Sequence, residues 1–386
     1  MPPDMKTAFI EPFQIAVNSA ALDDLKLRLE HVRWPNHETV ADCSQGVPLS
    51  KMKSLVEYWR TTYDWSRCEK SLNSYPQFTA NLDGLKIHFL HIRSSNQNAL
   101  PMILTHGWPG SILEFMKVIG PLSEPQNFGG KAEDAFHLVI PSLPGFGFSE
   151  KPTETGWSIN KIAHNWGTLM QSLGYEHYVA QGGDWGSAIT RQMALQTLAG
   201  LKAIHTNLPV VMPLPPYDTL SVKEEAMLTA MAQYQRWESG YSVQQMTRPQ
   251  TLGYGLADSP VGQAAWIFEK FNAWMDCNGD SLNVLSYDEL LDNIMLYWLQ
   301  NCGASSARLY WESFEGAFIA DRPIPLPCGY SVFAKELYQA PRSWAERCTP
   351  HLIHWNELET GGHFPALEQP DIFVQELRAC FQNLRL

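Results

Sequence analysis

One short segment carries the residues of a covalent catalyst. Asp184 lies in the sequence GGDWG (182–186), between an apolar segment at 178–180 and a helix-forming segment at 188–195. A nucleophile held between small residues at a sharp turn from strand to helix is typical of a nucleophile elbow. Glycine suits the flanking positions because the turn brings backbone close to backbone and leaves no room for Cβ atoms. We therefore predict that Asp184 is a nucleophile at the apex of this turn.

The carboxylate decides which substrates could react. A serine in this position attacks sp² carbonyl carbons, and a serine that attacked an sp³ carbon would form an ether that water cannot cleave. A carboxylate that attacks an sp³ carbon forms an ester, whose carbonyl can then be hydrolysed. Asp184 therefore predicts the opening of an epoxide or the displacement of a halide.

A base and an acid are expected after the nucleophile, because folds with this elbow keep the chain order nucleophile, acid, histidine. His363 lies in the sequence GGHFP (361–365), directly after the last predicted strand. Glu336 follows the preceding strand and is the candidate acid, while Asp321 and Glu359 stay open as alternatives. The acid would orient the imidazole and stabilise its protonated form once it has taken a proton from water.

Two further groups are needed to stabilise negative charge. The sequence HGWPGS (106–111) ends an early predicted strand, so the amide of Trp108 could join the amide of Trp185 in an oxyanion hole. An epoxide oxygen also needs a proton donor, and tyrosine hydroxyls suit that task because their ordinary pKa is about 10. The chain has 14 tyrosines, so composition alone does not select the donors.

The order of the elements predicts an α/β protein with an insertion. Alternating strands and helices indicate a mostly parallel, doubly wound sheet. A helical stretch rich in tryptophan, tyrosine and methionine interrupts this alternation, which predicts a lid over the carboxyl edge of the sheet, where open α/β folds bind ligands. The predicted parts are an N-terminal segment, a first core part, the lid and a second core part, at 1–74, 75–211, 212–323 and 324–386.

Local signals place several elements before the elbow. Asn18 or Ser19 could cap a first helix that Pro35 closes, and a second helix has apolar residues at helical spacing between 52 and 59. A hairpin at 78–92 is expected to turn at the Asp-Gly pair 83–84.

The bulk composition excludes other functional classes. A formal net charge of −12 without a basic stripe argues against nucleic-acid binding. We find no signal peptide, and no stretch approaches the roughly 18 apolar residues of a membrane span. Seven scattered cysteines without a CxxC pair indicate free thiols and no metal site. We therefore expect a soluble, cytoplasmic protein.

Taken together, the motifs resemble those of the microsomal-type epoxide hydrolases, a family with the α/β-hydrolase fold. They are HGWPGS (106–111), PGFGFS (144–149), GGDWGS (182–187) and GGHF (361–364). The amino-terminal segment resembles the family's N-terminal meander, and the similarity extends through the lid over nearly the whole chain. Membrane-bound members begin with an anchor that this sequence lacks, so it resembles the soluble microbial members. That resemblance is compatible with a homodimer formed through the lid.

The resemblance implies a role for each candidate residue. Asp184 would be the nucleophile, and Glu336 with His363 would activate water. Tyr241 in ESGY and Tyr310 in SSARLY would donate to the oxirane oxygen, because both sequences are similar to the family's lid motifs. The implied reaction converts a small hydrophobic epoxide and water into a vicinal diol through an aspartyl ester, without a cofactor or metal.

Two alternatives stay open. A haloalkane or haloacid dehalogenase would use the same aspartate and histidine, and the indoles of Trp108 and Trp185 could bind its halide. A non-catalytic binding protein could retain the fold, although it would have no physical need for all three of nucleophile, acid and histidine.

Overall fold

A nine-stranded sheet forms the centre of the protein. The computed structural model describes residues 8–213, 215–217 and 219–385. The strands are β1 (Ile10–Phe13), β2 (Gln77–Leu82), β3 (Leu85–Ile92), β4 (Leu100–Thr105), β5 (Phe136–Pro141), β6 (Tyr178–Gly182), β7 (Leu201–Thr206), β8 (Cys328–Val332) and β9 (Leu352–Glu357). Their spatial order is β1-β2-β3-β5-β4-β6-β7-β8-β9. The pairings from β1 to β5 are antiparallel, and those from β5 to β9 are parallel, which confirms a mostly parallel sheet.

Helices cover both faces of this sheet. They are α1 (Ser19–Glu30), α2 (Leu49–Thr61), α3 (Trp65–Leu72), α4 (Met116–Ser123), α5 (Ile159–Ser172), α6 (Trp185–Leu195), α7 (Val222–Trp237), α8 (Gly240–Thr247), α9 (Pro249–Asp258), α10 (Pro260–Trp274), α11 (Tyr287–Leu299), α12 (Gly303–Ala317), α13 (Arg342–Cys348), α14 (Pro365–Glu368) and α15 (Pro370–Phe381). α4 packs against α15, and α5 packs against α6. The central strands are buried nearly throughout and are apolar along their length, as expected for strands covered on both faces. The predicted doubly wound α/β fold is confirmed.

The N-terminal segment follows the sequence signals with two omissions. The Asn18 side chain accepts a hydrogen bond from the amide of Ala20 and caps α1, which ends at Glu30 and not at Pro35. α2 buries the predicted apolar face. The short edge strand β1 and the two-turn helix α3 were not predicted, because neither is long enough to show a clear periodicity.

The predicted hairpin is formed by β2 and β3. Asp83 and Gly84 both have positive φ, at 49° and 83°. Two consecutive positive φ values are typical of the two-residue turns whose twist matches that of paired strands, which is why an Asp-Gly pair occurs here.

The six helices α7 to α12 lie between β7 and β8, and we refer to them as the lid helices. They are held against the N-terminal segment by a polar contact centred on Asp292 of α11. Its carboxylate accepts two hydrogen bonds of 2.7 Å from Arg67 and one of 2.7 Å from the hydroxyl of Tyr63. Within the described ranges, no helix has both the length and the apolar character that crossing a bilayer requires.

Candidate active site

The turn between β6 and α6 has the geometry expected of a nucleophile elbow. Asp184 is at its apex with φ 50° and ψ −127°, a conformation that residues other than glycine rarely adopt. A Cβ atom on Gly182 would lie 2.1 Å from the carbonyl oxygen of Gly186, and one on Gly186 would lie 1.9 Å from the carbonyl oxygen of Thr105. The two glycines are therefore required by close backbone contacts, as the sequence indicates.

The two oxygens of the Asp184 carboxylate have different environments. Oδ1 accepts a hydrogen bond of 2.9 Å from the backbone amide of Trp108, in the loop after β4. Oδ2 lies 3.3 Å from Nε2 of His363. Trp185 is the first residue of α6, where amides have no partner within the helix, so the positive end of the helix adjoins the carboxylate. One oxygen is held by an amide, and the other faces the imidazole.

Glu336 and His363 form a buried hydrogen-bonded pair. The distance from His363 Nδ1 to Glu336 Oε1 is 2.6 Å, and both side chains are almost completely buried. The two alternative acids lie elsewhere. Asp321 is largely exposed and pairs with Arg191 at 3.0 Å, and Glu359 is on the surface. Glu336 is therefore the candidate acid that contacts the histidine.

The loop that carries His363 is fixed by a carboxylate that the sequence reasoning did not find. Glu368 accepts hydrogen bonds from the amides of Asp276, Gly362 and Phe364 at distances of 2.7 to 3.0 Å. Burial raises the pKa of Glu368 to about 7, although these amide hydrogen bonds oppose the change. Its sequence position after GGHFP carried no recognisable signal.

The electrostatics of His363 follow from two neighbouring carboxylates. Burial alone would lower its pKa, but the charges and hydrogen bonds of Glu336 and Asp184 more than offset that effect. They hold the pKa of His363 well above its ordinary value. The charge of Asp184 is one of the causes of this raised pKa, so loss of that charge would lower the pKa and make the imidazole a better base.

Tyr241 of α8 and Tyr310 of α12 reach the same site from two of the lid helices. Their ring centroids are 5.9 Å apart, and the ring of Tyr310 is 4.7 Å from that of Trp185. Burial raises the pKa of both hydroxyls well above its ordinary value, so both remain protonated donors. The indole of Trp108 stacks on Tyr241 with centroids 5.1 Å apart and an interplanar angle of 9°.

Two neighbours of Tyr241 were missed from the sequence. The hydroxyl of Tyr234, on α7, lies 2.8 Å from the hydroxyl of Tyr241. The ammonium of Lys270, on α10, lies 4.5 Å from the centroid of the Tyr241 ring, a distance typical of a cation–π contact. Because these contacts join different lid helices, no local motif could have revealed them.

A cavity of about 510 Å³ connects these groups. Asp184, His363, Tyr234, Tyr241 and Tyr310 are among its polar lining residues, which also include Gln235, Ser239, Ser242 and Tyr338. The remainder is mainly apolar and includes Leu208, Val210, Met231, Phe314, Phe318 and Leu337. This combination of a few convergent polar groups with apolar walls is typical of a small-molecule site. A larger cavity of about 770 Å³ lies between the N-terminal segment and α10, but none of the candidate catalytic residues lines it.

Comparisons with known proteins show which family this chain resembles over its length. The family model described as "Epoxide hydrolase N terminus" matches residues 10–115, and the model for the alpha/beta hydrolase fold matches residues 101–242. A Stigmatella aurantiaca protein named "Putative epoxide hydrolase" is 57% identical, over 97% of this chain and 86% of its own length. Epoxide hydrolase 1 of Sus scrofa is 34% identical, over 96% of this chain and 88% of its own length.

Solved structures of epoxide hydrolases also superpose on this chain. The crystal structure of juvenile hormone epoxide hydrolase from Bombyx mori superposes with a TM-score of 0.89 at 30% identity, covering 100% of this chain and 97% of the other. The Aspergillus niger epoxide hydrolase superposes with a TM-score of 0.87 at 31% identity, covering 99% and 98%.

Proposed function

Because the chain belongs to the epoxide hydrolase family, we propose that it converts epoxides into vicinal diols through a covalent ester on Asp184. One observation carries this mechanism. The Asp184 carboxylate is held by the Trp108 amide at 2.9 Å, lies 3.3 Å from His363 and lines the same cavity as Tyr241 and Tyr310. Nucleophile, base and proton donors therefore surround one space.

In the first step, Oδ2 of Asp184 attacks an oxirane carbon. A new C–O bond forms, the C–O bond of the ring breaks, and its electron pair moves to the ring oxygen. Tyr241 and Tyr310 stabilise that oxygen, and one of them supplies its proton. Neutral donors suit this position because they leave the neighbouring carboxylate free to act as the nucleophile.

In the second step, water hydrolyses the ester. His363 takes a proton from water, and the water oxygen adds to Cγ of Asp184. The oxyanion on Oδ1 is stabilised by the amides of Trp108 and Trp185, a type of contact that is worth about 10²–10³ in rate. Collapse of this intermediate breaks the bond between Cγ and the alkyl oxygen, which takes the proton from His363 to give the diol. The proton left on the carboxyl group of Asp184 is then released and replaces the one that the tyrosine lost in the first step, so that both side chains are regenerated.

The first step prepares the second. Esterification removes the charge of Asp184, which is one of the causes that raise the pKa of His363. The imidazole then loses its proton more readily and becomes available as a base. Glu336, hydrogen-bonded to Nδ1 at 2.6 Å, keeps the ring oriented throughout.

The shape and lining of the cavity support a small hydrophobic epoxide as the substrate. Most of its wall is apolar, and its volume of about 510 Å³ lies within the range of small-molecule sites. We propose that residues 212–323 form the lid over this substrate. A homodimer through the lid stays a prediction, which light scattering would test.

The covalent step can be tested by mass spectrometry. The His363→Gln variant is expected to form the ester and to hydrolyse it slowly, so one substrate mass should accumulate on the peptide that contains Asp184. The matched control is the double variant Asp184→Ala/His363→Gln, which should stay unmodified. An unmodified His363→Gln protein under saturating styrene oxide would contradict the mechanism.

A second measurement separates this reaction from halide displacement. The wild-type enzyme is expected to convert styrene oxide to its diol and to release no bromide from a bromoalkane of similar size. Bromide release without diol formation would instead support the dehalogenase alternative.

A further inference from the structure

Side chains of the lid helix α11 bind the loop that follows β4. Nδ2 of Asn293 donates a hydrogen bond of 2.8 Å to the carbonyl oxygen of Pro109. The hydroxyl of Tyr297 donates one of 2.7 Å to the carbonyl oxygen of Gly110. These carbonyl groups belong to the two residues directly after Trp108, whose amide holds the nucleophile. The helix therefore binds the loop immediately beside a donor of the proposed oxyanion hole.

The loop also donates one hydrogen bond to the helix. The hydroxyl of Ser111 donates a bond of 2.8 Å to Oδ1 of Asn293, so both ends of the Asn293 amide are used. A spacing of four residues puts Asn293 and Tyr297 on one face of α11, one turn apart. That face therefore contacts three consecutive residues of the loop, 109–111.

All of these contacts are buried. Asn293 and Tyr297 are only 4% and 2% exposed, and residues 290–297 of α11 are buried throughout. Burial raises the pKa of the Tyr297 hydroxyl well above its ordinary value, so this group stays protonated and can donate. A buried carbonyl group that loses its donor is left unpaired, which is unfavourable. The position of the loop is therefore strongly coupled to the position of α11.

We propose that α11 positions the oxyanion hole, with Asn293 and Tyr297 as positioning residues that fix the Trp108 amide for ester hydrolysis. The inference rests on the proposed function, because it assigns a role in the second step of that reaction. In the described part of the chain, neither side chain is among those that line the substrate cavity. Both residues therefore act through the loop and not by contact with the substrate.

The two steps of the reaction place different demands on the Trp108 amide. In alkylation, negative charge leaves the Asp184 carboxylate, so a hydrogen bond to Oδ1 becomes no stronger in the transition state. In hydrolysis, negative charge collects on Oδ1 as water adds to Cγ, so the same bond becomes stronger. Asp184 is carried by the turn between β6 and α6, so a small movement of the loop displaces the amide and leaves the nucleophile in place. Loss of the contacts with α11 should therefore slow hydrolysis far more than alkylation.

Single-turnover kinetics with enzyme in excess over styrene oxide test this difference. Stopped-flow fluorescence of Trp108 and Trp185, which adjoin the nucleophile, follows ester formation and decay, and intact mass after acid quench measures the ester directly. Tyr297→Phe removes only a hydroxyl and should slow hydrolysis by about tenfold, with alkylation changed less than about threefold. Asn293→Leu removes both amide contacts at similar volume and should slow hydrolysis by about 10²-fold, with alkylation again little changed.

Tyr58→Phe is the matched control, because it removes the same chemical group from a different contact of α11. The hydroxyl of Tyr58, on α2, donates a hydrogen bond of 3.1 Å to Asp288 of α11. This variant should alter neither rate constant. A selective loss of hydrolysis in Tyr58→Phe would show that any loosening of α11 has this effect, and it would overturn the roles assigned to Asn293 and Tyr297.

A purely structural role for these contacts would give a different result. Tyr297→Phe and Asn293→Leu would then melt at a lower temperature but keep both wild-type rate constants while folded, and the proposal would be overturned. Equal losses in both steps would overturn it as well. If Asn293→Leu does not fold, Tyr297→Phe decides alone, because the loss of one hydroxyl changes the packed volume little. If the wild-type enzyme forms no ester, the proposed function itself fails; if the ester forms and both variants hydrolyse it normally, only the positioning role is wrong.

Discussion

Replacing Gly107 with alanine should displace the Asp184 carboxylate without changing its chemical group. A methyl group on Gly107 would lie 2.2 Å from Oδ1 of Asp184, where ordinary contacts begin at 3.4 Å. The carboxylate would have to move by about 1 Å, because the elbow beneath it is fixed by the close contacts of Gly182 and Gly186. A displacement of this size in a reacting group costs about 10²-fold in rate.

The same displacement would lengthen the 2.9 Å hydrogen bond from the Trp108 amide. Both steps should therefore slow, and we expect alkylation in Gly107→Ala to fall by about 10²-fold. The assay is stopped-flow tryptophan fluorescence with enzyme in excess over epoxide, together with a thermal melt to establish that the variant is folded.

A matched substitution controls for the added methyl group. Gly255 lies within α9, and a Cβ atom there would meet no atom within 4 Å, so Gly255→Ala should alkylate at the wild-type rate. A folded Gly107→Ala protein with wild-type alkylation would refute the placement of the reacting oxygen against this loop.

Three further outcomes are expected. Tyr241→Phe and Tyr310→Phe should each slow alkylation by about 10²–10⁴-fold in the same assay, because each removes a donor to the ring oxygen; unchanged rates would mean that other groups protonate it. The pKa of His363 is raised in the folded state, so the stability from its protonation is fully present below about pH 6.5 and is lost as the pH rises through the folded pKa. In urea denaturation, the stability advantage of wild type over His363→Gln should therefore shrink as the pH rises above about 6.5, and a constant difference would contradict the assigned environment. Asp292→Asn should lower the free energy of unfolding by about 1–2 kcal/mol, because it weakens the hydrogen bonds from half-exposed Arg67 to the lid helix α11. An unchanged urea midpoint would show that this contact is not stabilising.

The parts of the site that were predictable are those encoded in local backbone turns. The elbow at Asp184 could be predicted because a sharp turn from strand to helix needs small residues at fixed spacing around its nucleophile, although the contact that requires Gly186 is with distant Thr105. Glu336 and His363 followed from chain order, since a parallel sheet brings the carboxyl ends of neighbouring strands to one edge.

The remaining groups depend on packing between distant elements. Tyr241 and Tyr310 could be selected only through the resemblance, because helices of the lid carry no periodic signal for which side chain meets the sheet edge. Tyr234, on a lid helix, was missed for the same reason, and Glu368 of α14 was missed because its partners are backbone amides that the sequence does not mark. Each acquires its role from a partner far along the chain or on another helix, and a buried carboxyl group looks like any surface glutamate in a sequence.

Trp108 joins two parts of the machinery that different regions of the chain supply. Its amide holds the nucleophile of the core, and its indole lies flat against the ring of Tyr241 in the lid. If the lid helices were replaced by those of a relative, the relative's residue at the position of Tyr241 would pack against an unchanged Trp108 indole. Chimaeras intended to alter substrate preference should therefore transfer residues 106–111 together with α8, so that the stacked pair is inherited intact.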